Sequence, residues 1–249
     1  MDEIVADGFV VHDLAPELMV RVTRPMPPLP AEIDARVEAL WRQAASRVEA
    51  GGAGRLFNGR VFSADRITPA AITGHMTEFR RIVAQMEDPS LFPALALRPL
   101  AVGGVLRCRD GVAVGRRPPA AVYQPGMWQL PPAGSVDASA LGADGTIDLV
   151  AQVLTELREE LGLPATSVTA PCPICVVEHP GSHVSDLGMA LTTTVNAQAV
   201  LDAHRTDGNG EYDPLRVIGF QDIAGFVAEA GDLLVPPARI FLERLRLLP

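Results

Sequence analysis

Apolar residues recur at helical spacing from Ala31 onward, at Ile33, Val37, Leu40, Trp41, Ala44 and Val48, which predicts an amphipathic helix. The stretch before it, RPMPPLP, cannot be helical inside, and its last residue, Pro30, suits a helix's first turn. Gly51-Gly52 is a stop signal for that helix. Two short extended stretches, 8–14 and 18–23, precede the prolines and flank a turn at Ala15-Pro16. After the helix, LFNGRVF places two apolar arms around Asn58-Gly59, a hairpin signal. A second amphipathic helix is expected to carry Met76, Phe79, Ile82, Val83 and Met86. Residues 1–97 therefore read as a small α+β domain.

The texture changes at Pro99. Apolar runs at 100–107 and 112–117 surround Asp110-Gly111, another hairpin turn. A short strand at 127–130 leads into the loop PPAGSVDASALGADG. The longest helical pattern of this half then spans 146–161. Strands are expected at 174–177, 187–195 and 215–220, with helices around 223–230 and from about Pro237. Strands alternating with helices predict an α/β sandwich with a mixed sheet over residues 98–249. Its length and 48% hydrophobic content suffice for a sizeable core.

Charge narrows the partners. The formal net charge is -9 and no run of Lys and Arg interrupts the acidic balance, which argues against a nucleic-acid polymer. The acidic start, MDEIVADGFV, does not look like a signal peptide. The best membrane-span candidate, 91–106, is broken by Arg98, Pro93 and Pro99. Three cysteines do not suggest a disulfide framework. A cytoplasmic protein without a membrane partner is the expectation.

The segment TELREELGL ends the long helical pattern. At about 100° per residue, Leu149, Val150, Val153, Leu154, Leu157 and Leu161 share one apolar arc. Glu156, Glu159 and Glu160 fall on the adjacent arc, with Glu160 at the edge of the apolar stripe. Gly162 and Pro164 end the helix, so these acids occupy its last two turns. There they oppose the macrodipole, at up to about 1 kcal/mol each. The Glu156–Glu160 pair adds roughly 0.2–0.5 kcal/mol of repulsion. A divalent cation reverses both signs, and all-oxygen ligands suit Mg²⁺ or Mn²⁺. A solvated acidic face is the competing explanation.

These residues resemble the second half of the Nudix box, Arg-Glu-U-x-Glu-Glu-x-Gly-U with U aliphatic, at Glu156, Leu157, Glu159, Glu160, Gly162 and Leu163. Upstream, MWQLPPAGSVD resembles the loop that opens the box, with Gly134 at its first glycine. GGVLRCRDGVAVGRR resembles the strand pair before it. The resemblance implies a Nudix α/β/α sandwich and a metal-dependent diphosphate hydrolase (pyrophosphatase). It implies metal ligands at Glu156, Glu159, Glu160 and the carbonyl of Ala133, with Glu156 or Glu159 as the catalytic base. Two departures stand out. The loop after Gly134 is longer than the consensus, and Ile147 and Thr155 replace the usual first Glu and the Arg. The N-terminal extension, LFNGRVF, TEFRR and the long loop resemble the group that hydrolyses UDP-glucose and UDP-galactose. A nucleotide sugar is then the leading substrate; ADP-ribose, a dinucleotide, or a non-catalytic nucleotide-binding regulator are the alternatives.

Further candidates lie outside the helix. Arg116, Arg117 and Glu211 are expected on the substrate side of the site. Arg116 or Arg117 can grip a phosphate. Glu178 and Glu211 are both candidates for an acid supplied from outside the box. Cys172 and Cys175 with His179 and His183 admit a zinc reading, but a core strand with small buried cysteines is favoured. Tyr123, Trp128 and Phe57 can stack a base or sugar, or serve as core. The extension's helices must bury their apolar stripes on each other, on the core or on a second subunit, which leaves a homodimer open. The expectation is that residues 1–97 complete the substrate pocket, with the Asn58-Gly59 turn near the base or sugar.

Overall fold

The computed structural model describes residues 8–51 and 55–248, and the backbone of residues 3–4. Gly52, half of the expected helix stop, lies outside the described residues. In chain order the strands begin with β1 (Glu3–Ile4), β2 (Val10–Asp13) and β3 (Met19–Val22). Helix α1 (Ala31–Ala50) is followed by β4 (Arg60–Ile67), β5 (Ala71–Glu78), α2 (Phe79–Glu87) and α3 (Phe92–Leu95). Then come β6 (Leu100–Arg107), β7 (Gly111–Arg116), β8 (Trp128–Gln129), β9 (Ala133–Ser135) and α4 (Leu149–Leu161). The chain closes with β10 (Cys172–Glu178), β11 (Ser185–Thr192), α5 (Ala197–Asp207), β12 (Leu215–Gly219), α6 (Ile223–Ala230) and α7 (Pro236–Arg244). The result is a mixed α/β fold with a large mixed sheet and helices. No helix among the described residues is long and apolar enough to cross a membrane.

Two compact units divide these elements. The first takes residues 1–101 together with 135–148 and 178–185. Its three-stranded sheet has the order β3-β5-β4, with β3 parallel and β4 antiparallel to β5. The stripe of α1 supplies Val37, with Ile33 and Leu40 packed beside it, to a core shared with Val61, Ile82, Leu91, Leu95 and Leu97. Trp41 meets Phe79 edge to face at 6.2 Å.

Two expectations for this unit are corrected. The Asn58-Gly59 hairpin does not form. Strand β4 starts only at Arg60, and its turn to β5 is closed by paired backbone bonds between Thr68 and Ala71. Asn58 instead uses its side chain at a helix start, Oδ1 accepting from the Arg80 N–H at 2.9 Å. Met76 belongs to β5, not to a helix. Its apolar neighbours had fitted a helical period by continuing into α2, where Phe79, Ile82, Val83 and Met86 do lie.

The second unit comprises residues 102–134, 149–177 and 186–249. Its strands run in the order β10-β11-β6-β7-β12, with β8 on β7. Strand β12 pairs antiparallel along β7, from Leu215 opposite Gly115 to Gly219 opposite Gly111. Helix α4 buries Leu149, Val153, Leu157 and Leu161, four of the six residues on the apolar arc, while Val150 is exposed. Gly162 then takes φ +68°, the left-handed turn that stops the helix. Helix α5 packs on α4, β7 and β12. It had no counterpart in the sequence pattern, although Asn196 caps it through the Ala199 N–H at 2.9 Å.

Candidate active site

Helix α4 delivers the acids in three different environments. Glu160 is fully buried, Glu156 is half-buried and Glu159 is exposed. Glu160 was expected at the edge of the apolar stripe and is instead inside the core. The correction follows from position: it sits one residue before the core-facing Leu161, where α5 also packs on α4.

Burial makes Glu160 the electrostatic centre of the site. Its Oε2 accepts the Ala133 N–H at 2.9 Å. Its Oε1 is also buried and has no hydrogen-bond partner. Burial, then the charges of Glu211 and Glu156, push the Glu160 carboxyl well above the usual range; the Ala133 N–H and Arg117 oppose this less strongly. Taking a carboxylate out of water costs on the order of several kcal/mol even after relaxation. A hydrogen bond to a charged group returns about 1.5–3 kcal/mol. One donor therefore does not compensate Glu160, which must hold a proton or face a cation.

Ala133 and Gly134 complete this corner. The backbone of Ala133 is a donor to the site, a contact distinct from the carbonyl ligand the resemblance implied. A Cβ at Gly134 would overlap the Glu156 carboxylate, the far end of a flexible side chain, so the glycine lets that carboxylate lie against the backbone. Glu156 Oε1 also accepts from Gln152 Nε2 at 2.8 Å. Gln152 is buried one turn before Glu156 and was not singled out in the sequence.

The other side of the cluster comes from the segment before β12 and the end of β7. Glu211 is half-buried, and burial raises its carboxyl against the pull of Arg117. Arg117 Nη1 lies 3.5 Å from Glu211 Oε1 and donates to Gln129 Oε1 at 2.6 Å; its Nε donates to the Tyr123 carbonyl. Arg116 leaves the cluster, donating through Nε to the Gly126 carbonyl at 3.0 Å from an exposed position. Successive side chains of a strand point to opposite faces, so only one of the two arginines could join the acids. Tyr212, next to Glu211, is buried, and burial first, then the charge of Glu160, raise its phenol well above the ordinary range.

As they stand, no three His, Cys, Asp or Glu among the described residues are gathered closely enough to hold a metal ion. The donor chemistry nonetheless fits a hard divalent cation. All the donors are carboxylate oxygens, Glu160 Oε1 is orphaned and buried, and Glu156 and Glu211 each raise the Glu160 carboxyl by their charge.

The remaining candidates lie elsewhere. Cys172 is exposed and Cys175 buried on β10. In the first unit, His179 meets Phe9 edge to face at 4.9 Å, and His183 stacks on Phe92 at 3.6 Å. Glu178 there accepts from Arg98 Nε at 3.1 Å and pairs with His12 at 3.5 Å, so its charge has local partners. Trp128 is a core residue, edge to face with Phe226. Phe57 is 82% exposed. A small open pocket is lined by Gly103, Gln124, Gln129, Asp186 and Phe241 among others. It shares Gln129 with the Arg117 contact.

No family model and no curated protein sequence matches this chain. Solved structures similar to it include Nudix hydrolases. A Nudix hydrolase from M. smegmatis is 22% identical with a TM-score of 0.42, over 60% of this chain and 84% of that one. A MutT Nudix hydrolase from Burkholderia pseudomallei is 18% identical with a TM-score of 0.38, over 59% and 97%. A C. elegans Ap4A hydrolase is 18% identical with a TM-score of 0.36, over 59% and 98%.

Proposed function

We propose that the chain is a Nudix-type, divalent-metal-dependent hydrolase of a nucleoside diphosphate linked to another moiety, with a nucleotide sugar such as UDP-glucose as the leading substrate. The observation that carries this reading is the buried Glu160 carboxylate with one oxygen unpartnered, beside Glu156 and Glu211.

Glu156, Glu159 and Glu160 would hold Mg²⁺ or Mn²⁺, with Glu211 adding charge from outside the helix. The ion, when bound, neutralises phosphate charge and lowers the pKa of a water. Glu156 is the base we assign to the attacking water, with Glu159 second. Glu156 is held by Gln152 against the backbone of Gly134, whereas Glu159 is exposed. Water adds to one phosphorus as the bridging P–O bond breaks, which yields a nucleoside monophosphate and sugar 1-phosphate. Arg117 is the phosphate ligand of choice over Arg116, because it already lies among the acids.

The test is a screen of UDP-glucose, UDP-galactose, ADP-ribose and dinucleotides with Mg²⁺, Mn²⁺ or EDTA, with products identified. Metal-dependent release of a monophosphate and a sugar 1-phosphate is expected. Undiminished turnover in EDTA, or binding without any cleavage, would overturn the assignment.

A further inference from the structure

The last carbonyls of a helix have no partner within it, and at the end of α4 one short stretch of chain supplies partners for two of them. The Asn209 N–H donates to the Glu159 carbonyl at 2.8 Å. His204, on α5, stands with Nδ1 2.9 Å from the Glu160 carbonyl and Nε2 3.0 Å from the Tyr212 carbonyl. Both carbonyls accept, and whichever ring nitrogen carries a proton donates to the one it faces. One ring thus stands between the last turn of α4 and the segment that follows α5. Glu159 and Glu160, whose carbonyls are held in this way, are two of the three helix acids.

The stretch is built to lie close to the helix end. A Cβ at Gly208 would come within 2.6 Å of the Glu160 and His204 carbonyl oxygens, backbone atoms that cannot swing aside, so glycine lets the chain cross there. Gly210 then takes φ +79°, a left-handed turn that glycine adopts at no steric cost. Between the two glycines, Asn209 Oδ1 accepts the Glu211 N–H at 2.9 Å. The backbone of Glu211 is therefore fixed on both sides, by Asn209 before it and by the Tyr212 carbonyl at His204 after it. Glu211 Oε1 lies 3.5 Å from Arg117 Nη1, on the side of the acids.

We propose that His204 and Asn209 are positioning residues that tether the Glu211 segment to the last turn of α4, so that Glu211 adds its charge to the cation site at a fixed distance from the helix acids. Neither residue touches the cation; each acts through Glu211. The distance matters because the attraction of an acid for a cation falls with separation, and a half-buried pair is screened less than one in water. Outer contacts of this kind orient the groups around a metal and strengthen its binding. The inference rests on the cation site proposed above.

The experiment is calorimetric titration of Mn²⁺ into the full chain without substrate. It compares wild type, His204→Ala, Asn209→Ala, Glu211→Gln, and each of the first two variants combined with Glu211→Gln. Glu211→Gln and His204→Ala should each weaken Mn²⁺ binding by roughly tenfold, and Asn209→Ala by a smaller factor. In the Glu211→Gln background the two alanine variants should each change affinity by less than about twofold, because the group they position has lost its charge. Losses that multiply in the double variants would assign His204 and Asn209 to packing of the helix end and overturn the inference. Affinity within about twofold of wild type in His204→Ala or in Glu211→Gln would overturn it as well. Should His204→Ala fail to fold by circular dichroism, Asn209→Ala decides by the same criteria, since Asn209 is exposed and its side chain can be removed without opening the core. A wild type that binds no Mn²⁺ would overturn the cation site together with this inference, whereas the other adverse outcomes leave that site standing.

Discussion

An ionised carboxylate at Glu160 has one backbone donor and no solvent, so the charge of this single side chain sets the behaviour of its surroundings. A folded pKa above the unfolded value of about 4.3 means that the proton stabilises the fold. That contribution is complete below about pH 4.3 and is lost as pH rises through the folded pKa. Glu160→Gln does not titrate. In EDTA, its melting temperature should therefore exceed that of the wild type by a margin that grows with pH, reaching several degrees. At this chain length 1 kcal/mol corresponds to roughly 2–4 °C. Added Mn²⁺ should raise the wild type only. Calorimetric scans between pH 4 and 8 check this, and a margin independent of pH would contradict it. The sequence had made the acids legible because three glutamates in two turns next to a core are electrostatically unfavourable without a cation. It did not reveal that Glu160 is wholly buried while Glu159 is exposed. A helical wheel places residues on arcs but does not say where the neighbouring α5 ends the solvent. Gln152, His204 and Tyr212 escaped notice because each looks like an ordinary surface or core residue until its partner is known.

At the scale of elements, alternation along a strand separates Arg116 from Arg117. The first turns to the Gly126 carbonyl, the second to Gln129 and Glu211. Arg117→Ala should then lower kcat/KM by about 10–100-fold, a loss of about 1.4–2.8 kcal/mol in transition-state binding. Arg116→Ala should stay within about twofold. Steady-state kinetics on the substrate found by the screen decide between them, and equal losses would mean that the β7 terminus rearranges on binding. Strong local signals were read correctly here: the α1 stripe, the Asp110-Gly111 turn and the Gly162 stop. The Asn58-Gly59 hairpin failed because Asn serves equally well as a helix-capping residue, and in this chain it bonds to the Arg80 N–H. Strand β5 was hidden because AITGHMTE runs without a turn residue into the apolar face of α2.

Across the whole molecule the acids taken out of solvent shift in opposite directions in the two units. In the first, Glu178 is held below the usual carboxylate range, chiefly by hydrogen bonding to His12 and then, against burial, by Arg98 and His183. Burial works to raise Asp65 and Glu78, but Arg24 with His75, and Arg80 with Arg81, outweigh it and lower both. In the second unit burial raises Glu160 and Glu211. These pairings need residues remote in sequence, such as Arg98 with Glu178, so no local pattern announces them. Residues 135–148 also contribute backbone bonds within the first unit: Phe62 N–H to the Val136 carbonyl, and Ile147 N–H to the Val20 carbonyl. A long loop with mixed polarity gives no hint of such partners. The sign of each shift yields a prediction for the metal-free protein. Lowered carboxylates contribute stability above their unfolded pKa of about 4 and lose it as pH falls through the folded value. Raised carboxylates do the reverse. Hydrogen-exchange protection in EDTA should therefore fall on acidification below about pH 4 in β4 and β5, around Asp65 and Glu78. In α4, around Glu160, it should rise as pH falls from neutrality towards about 4.3 and stay level below that. Saturating Mn²⁺ should remove the pH trend in α4 near neutrality and leave β4 and β5 unaffected. Protection factors measured by mass spectrometry on peptides covering 60–78 and 149–161, corrected for intrinsic exchange, test both halves. Parallel trends in the two peptides would show that global unfolding, and not the local charge of each unit, governs the response to pH.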